Sequence, residues 1–218
     1  MINWKTIDTV LLDMDGTLLD LHFDNRFWLE HVPEHYARQY DLSLNQAKEE
    51  LYCRFEDRMG QLEWYCLNYW QAELNLNLLT MKRELAHLIS LRPGAERFLQ
   101  QLQRSDKRVV MITNAHQQSL SLKLEKASLA QYFDCMISSH QYGFAKEHPE
   151  FWPALEADIG IDPARCLFID DSLPVLRSGQ RWGIAELIAI SHPDSQRGPK
   201  DTEEFAAVND FTELLPIE

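Results

Sequence analysis

Five short runs of almost unbroken apolar residues recur along the chain, and each stops at a polar residue. Thr6 to Asp13 carries Ile7, Val10, Leu11 and Leu12, with Gly16 punctuating it soon afterwards. Val109-Val110-Met111-Ile112 stops at Thr113-Asn114, Cys135-Met136-Ile137 at Ser138-Ser139, and Cys166-Leu167-Phe168-Ile169 at Asp170-Asp171. The fifth run, Leu187-Ile188-Ala189-Ile190, stops at Ser191. Runs this short, apolar on both faces, predict strands of a parallel sheet covered on each side. Between them, Ala95 to Arg104 (Phe98, Leu99, Leu102) and His116 to Leu129 (Leu120, Leu122, Leu124) have helical spacing. Strand and helix alternate, which predicts an α/β fold with a doubly wound parallel sheet and right-handed crossovers. In such a sheet the polar residues after the strand ends converge on one crevice.

The alternation fails between residues 20 and 91, where amphipathic helical patterns follow one another without a convincing strand. Phe23 to Tyr40 keeps helical spacing despite Pro33, Ser43 to Met59 opens on a good N-cap, and Leu62 to Leu76 follows. Arg92-Pro93-Gly94 then marks the return to the sheet. The expected organisation is therefore an α/β core formed by residues 1–19 and 92–218, interrupted by a helical lobe over 20–91. The polar, Pro- and Gly-containing stretch Ser191 to Asp201 reads as a surface loop before a short tail.

Composition narrows the partners more than the fold. The 218 residues suffice for one α/β domain carrying an inserted lobe, and 45% hydrophobic with 25% charged residues is ordinary for a globular chain. Acidic residues outnumber basic ones 34 to 21, a formal charge of -13 that opposes nucleic-acid polymers and anionic membranes. A small anion is still accessible, because a cation, a lysine and backbone N–H groups reverse the local field inside a cleft. No signal-peptide pattern or membrane-length apolar run is visible, and Cys53, Cys66, Cys135 and Cys166 lack metal-ligand or disulfide spacing. The expectation is a cytoplasmic protein with reduced thiols.

Asp13-Met14-Asp15-Gly16-Thr17-Leu18 sets two carboxylates on a turn at the first strand end. Both can then reach one reacting phosphorus, one as nucleophile and one as general acid. Gly16 lets the chain turn, and Thr17 is expected to fix the loop by bonding to backbone. Taken alone, the motif is as readily an Asp-Gly turn with a capping acid. Thr113-Asn114 offers a hydroxyl and backbone N–H groups to phosphate oxygens, though it could equally cap a helix. Lys146 could neutralise a nucleophile and its phosphate, though a lone lysine before a helix is more often solvated. Asp170-Asp171 would repel unless a cation such as Mg²⁺ lay between these and other acids; Asp171-Ser172-Leu173-Pro174 also suits a helix start.

Together, and in this order, these elements resemble the four motifs of the haloacid dehalogenase superfamily: Asp-x-Asp-Gly-Thr-Leu, a strand ending in Thr-Asn, the lysine before Pro149, and a strand ending in Asp-Asp. The resemblance covers nearly the whole sheet domain, and the lobe looks like the superfamily's first type of cap. It implies a Mg²⁺-dependent phosphatase in which Asp13 becomes phosphorylated and Asp15 serves as general acid and then base. Mg²⁺ would be held by Asp13, the Asp15 carbonyl and Asp171, with Asp170 contributing directly or through water. Thr113, Asn114 and Lys146 would meet the phosphate. One departure is that many members carry Gly where Asp170 stands, with a later Asp near the position of Val175.

The whole chain is also similar to bacterial nucleotidases of this superfamily that hydrolyse GMP and IMP, which implies a nucleoside monophosphate as substrate. The lobe is rich in rings (Phe23, Phe27, Trp28, Tyr36, Tyr40, Tyr52, Phe55, Trp64, Tyr65, Tyr69 and Trp70), mostly expected to pack helices, with one or two free to stack on a base. Alternatives are a phosphatase of sugar phosphates or phosphoglycolate, a phosphomutase, a metal-independent dehalogenase and a non-catalytic binding module. The second acid and the Asp pair count against a dehalogenase, and the filled catalytic positions count against a binding module. His31 and His35 are four apart, but with Pro33 between them and no acidic partner in sequence they are expected to pack or face solvent.

Overall fold

A computed structural model describes residues 2–217. Strand β1 (Thr9–Leu12) is followed by a helical excursion: α1 (His22–Arg26), a π-helical turn over Phe27–His31, α2 (Val32–Tyr40), α3 (Leu44–Glu56), α4 (Leu62–Tyr65), α5 (Leu67–Leu74) and α6 (Leu78–Glu84). Alternation then resumes with α7 (Ala95–Gln103), β2 (Arg108–Thr113), α8 (Gln117–Ala127), β3 (Cys135–Ser138), α9 (Phe151–Ile159), β4 (Cys166–Asp170), α10 (Leu173–Trp182), β5 (Glu186–Ile190) and β6 (Ala207–Val208). The strands form one parallel sheet in the order β3-β2-β1-β4-β5-β6. With β2 and β4 flanking β1, three of the polar strand ends lie side by side.

Period-two alternation explains why both sheet faces are apolar. Val10 and Leu12 join Phe98, Leu99 and Leu102 of α7 and Leu120 of α8 on one face, whereas Leu11 joins Phe151, Trp152 and Leu155 of α9 and Val175 and Leu176 of α10 on the other. The excursion has its own core, with Phe27, Leu51, Phe55, Trp70 and Leu74 fully or almost fully buried. Capping follows the sequence at α3, where Ser43 and Gln46 form a reciprocal capping box. Pro33 stands in the first turn of α2, directly after the π-helical turn over Phe27–His31.

The excursion leaves and rejoins the sheet at neighbouring points. Leu19 and Leu91 form an antiparallel bridge, the Asp20 N–H bonds to the Ser90 carbonyl, and the Arg92 N–H bonds to the Leu18 carbonyl.

Four expectations are corrected. The first strand is shorter than Thr6 to Asp13, because Trp4–Thr6 form a 3-10 turn that buries Trp4 beneath Phe98. The helix expected over Leu62 to Leu76 breaks at Cys66, whose extended backbone lets its Sγ cap the Tyr69 N–H. The tail adds a sixth strand, Ala207–Val208, beside β5. The hydroxyl of Thr17 is buried without a hydrogen-bond partner, and the loop is held instead by backbone bonds from Leu18 and Leu19 to the Met14 carbonyl. No helix among the described residues is long and apolar enough to cross a membrane.

Candidate active site

Parallel pairing of β1 with β2 and β4 brings Asp13, Thr113 and Asp170 to one sheet edge, and the loop after β3 delivers Lys146 to the same place. The Asp13 N–H bonds to the Ile169 carbonyl, extending the ladder one residue before the chain turns. Gly16 completes that turn at φ +83°, a left-handed conformation that favours glycine. A Cβ there would lie 2.7 Å from Asp171 Cγ, so the loop after β1 packs directly against the Asp pair.

Lys146 is buried, and its Nζ lies 2.6 Å from both Asp13 Oδ1 and Asp170 Oδ2. It also donates to the Ile112 carbonyl at 3.2 Å. Burial opposes its charge, yet the two carboxylates outweigh that and hold its pKa above the ordinary lysine range. Asp13, Asp15, Asp170 and Asp171 are each pushed up to about 6, first by burial. Lysines oppose the rise at all four, and neighbouring carboxylates add to it.

The Asp pair divides its work. Asp170 uses Oδ2 on Lys146 and Oδ1 on the Ser172 N–H at 2.7 Å, at the start of α10. Among the described residues, the cation paired with the Asp171 carboxylate is Lys200, 3.6 Å from its Oδ2. Single carboxylate oxygens of Asp13, Asp170 and Asp171 all lie within 4.8 Å of one another, and Asp13 Oδ2 is buried with no hydrogen-bond partner. This all-oxygen set, with one orphaned buried oxygen, fits a hard divalent cation such as Mg²⁺.

Thr113 is buried, and its Oγ1 accepts the Ala115 N–H at 3.0 Å, which leaves the hydroxyl proton free to donate. Asn114 acts as a strut. Its Oδ1 accepts the Lys146 N–H and its Nδ2 donates to Glu147, each at 2.9 Å. Glu147 also accepts the phenol of Tyr65 from the excursion, and burial of that phenol, reinforced by the carboxylate, pushes the Tyr65 pKa far above its ordinary value. Helix α8 starts later, capped by His116.

Sequence reasoning missed four charged residues beside this cluster. Lys123 of α8 bonds Asp15 Oδ1 and Asp24 Oδ2, both at 2.6 Å, and Lys82 of α6 bonds Asp24 Oδ1 at 2.8 Å. Glu147 is the fourth. His31 and His35 have an acidic neighbour after all: α6 brings Glu84 Oε2 to 2.9 Å from His31 Nε2 and 4.0 Å from His35 Nε2. None of the three lines the cavity above the sheet, which is walled by Asp13, Asp15, Trp28, Trp64, Tyr65 and Lys146 among others.

Residues 7–183 match the model of the haloacid dehalogenase-like hydrolases. The GMP/IMP nucleotidase YrfG of Escherichia coli K12 is 38% identical over 215 residues, covering 99% of this chain and 97% of that one. A phosphorylated carbohydrates phosphatase of Thermotoga maritima is 22% identical over 197 residues, covering 85% and 86%. Among solved structures, a HAD phosphatase from Thermococcus onnurineus superposes with a TM-score of 0.79 at 19% identity, covering 95% and 96%, which speaks to the fold alone.

Proposed function

The chain belongs to the haloacid dehalogenase-like hydrolase family, and on that premise we propose that it is a Mg²⁺-dependent phosphomonoesterase of purine nucleoside monophosphates, working through a phosphorylated Asp13. The observation that carries the reading is the Asp13 carboxylate, buried in the cavity wall with one oxygen on Lys146 and the other unpartnered. An unpaired buried carboxylate oxygen is unfavourable unless a cation or an electrophile is to meet it.

Lys146 restrains the Asp13 carboxylate by its Oδ1 and offsets the charge that an incoming phosphate adds. Thr113 Oγ1, with its proton unused, and the backbone after it receive phosphoryl oxygens, while Asn114 keeps the Lys146 loop in place. Asp13 attacks phosphorus, the bond to the leaving oxygen breaks, and the Asp15 proton passes to that oxygen to give the nucleoside. Water then attacks the aspartyl phosphate, surrendering its proton to Asp15; inorganic phosphate departs and Asp13 is restored. Asp13, Asp171 and the Asp15 carbonyl would hold Mg²⁺, with Asp170 contributing directly or through water, and the ion would supply charge neutralisation at the phosphoryl oxygens.

For the substrate, the cavity offers flat apolar surface. Trp28 and Trp64 are only partly buried and pack edge-on against Phe55, with centroids 5.7 and 5.8 Å away. Rings held this way keep a face for a purine. The lobe over residues 20–91 thus selects the substrate while the sheet performs the reaction. The resemblance to a GMP/IMP nucleotidase supports the same choice. A phosphate-release panel tests it: GMP and IMP should be turned over fastest, and equal or better turnover of sugar phosphates or phosphoglycolate would overturn the substrate assignment.

A further inference from the structure

A row of alternating charge runs from the proposed proton donor into the inserted helices. Lys123 Nζ sits between Asp15 and Asp24, 2.6 Å from an oxygen of each, and Asp24 in turn receives Lys82 at 2.8 Å. Asp15 and Lys123 belong to the sheet side, Asp24 and Lys82 to the excursion. Both lysine side chains are almost inaccessible. The Lys82 ammonium is further confined by the rings of Phe23, Phe27 and Trp28, whose centroids lie 4.8, 4.5 and 5.7 Å away.

Stability alone is a poor reason for such a row. Buried ion pairs are often no better than apolar contacts of the same shape, whereas removing one partner is strongly unfavourable. An apolar contact already joins the same surfaces, where Phe23 and Ala86 pack on Leu122 of α8. Greasy packing cannot aim a carboxylate, and Lys123 does. It is the ammonium paired with Asp15 among the described residues, its Nζ 2.6 Å from Oδ1.

We infer that Lys123 and Asp24 are positioning residues: Lys123 sets the orientation of Asp15, and Asp24 makes that orientation depend on the seating of the inserted helices over the sheet. This deepens the phosphomonoesterase reading and rests on it. The chemical consequence concerns the leaving group. A nucleoside 5′-oxygen departs as an alkoxide unless Asp15 delivers a proton as its bond to phosphorus breaks, whereas p-nitrophenolate departs unaided.

The experiment compares kcat/KM for GMP and for p-nitrophenyl phosphate at saturating Mg²⁺, because that ratio reports the first phosphoryl transfer and excludes hydrolysis of the aspartyl phosphate common to both. In Lys123→Met and Asp24→Asn, the GMP value should fall by about a hundredfold or more, and the p-nitrophenyl phosphate value by no more than about fivefold. Lys123→Arg should recover part of the loss on GMP. An equal fall on both substrates, or no fall on either, overturns the inference. Should Lys123→Met not fold, the isosteric Asp24→Asn decides. A wild-type protein inactive toward both substrates would instead overturn the phosphomonoesterase reading itself.

Discussion

Lys146 Nζ lies 2.6 Å from Asp13 Oδ1 although 133 residues separate them in the chain. The same ammonium balances Asp170, so removing it strands two buried carboxylates. Lys146→Met should lower stability at neutral pH by about 3 kcal/mol and reduce turnover by about a thousandfold or more. Denaturant titration should show much of the stability returning near about pH 5, where the stranded acids take up protons.

Asp13→Asn keeps the shape of the side chain but removes the nucleophile. Turnover should drop by at least about a thousandfold with the fold intact. Acid-quenched protein should carry phosphoryl label in the wild type and none in the variant. Unchanged turnover would mean that the activity belongs to a contaminant.

The clustered carboxylates give the metal-free protein a distinctive pH response. Asp13, Asp15, Asp170 and Asp171 have folded pKa values of about 6, raised from 3.8. The folded state therefore binds more protons than the unfolded chain between those values, so stability rises as pH falls from about 7 toward about 4. Thermal melting of the metal-free protein should be higher at about pH 5 than at about pH 7.5, and Mg²⁺ should raise the melting point most at the higher pH. EDTA should abolish turnover; activity that survives excess chelator would favour a metal-independent dehalogenase.

Gly16→Ala tests how closely the first loop fits the Asp pair. The added Cβ would meet Asp171 Cγ at 2.7 Å and would have to adopt φ +83°. A loss of about 1–3 kcal/mol is expected, with weakened Mg²⁺ activation. The same substitution at Gly60, where nothing lies within 4 Å of the added atom, should carry only the backbone penalty.

What could be read from the residues alone follows a physical divide. Asp13, Thr113 and Asp170 were legible because buried parallel strands are written as apolar runs, and a polar residue that ends one is conspicuous. Lys82, Asp24 and Lys123 were not, because a buried lysine looks like a solvated one until its partner is known. Asp24 stands 58 residues from Lys82 and 99 from Lys123. Glu84 escaped for the same reason, being 53 residues from His31. Thr17 misled in the other direction: its type suggests a hydrogen bond that its buried hydroxyl does not make. Ala207–Val208 is too short a strand to produce a periodic signal.

The bridge between Leu19 and Leu91 makes the helical excursion a detachable clause in the chain. Departure and return are fastened to each other, so the sheet registers the same local geometry whatever length of polypeptide intervenes. A different insert grafted between those points would inherit the phosphoryl chemistry of the strand ends and bring its own taste in leaving groups. It would also have to provide its own counterpart to Asp24, so a successful exchange must transplant an acid along with a shape.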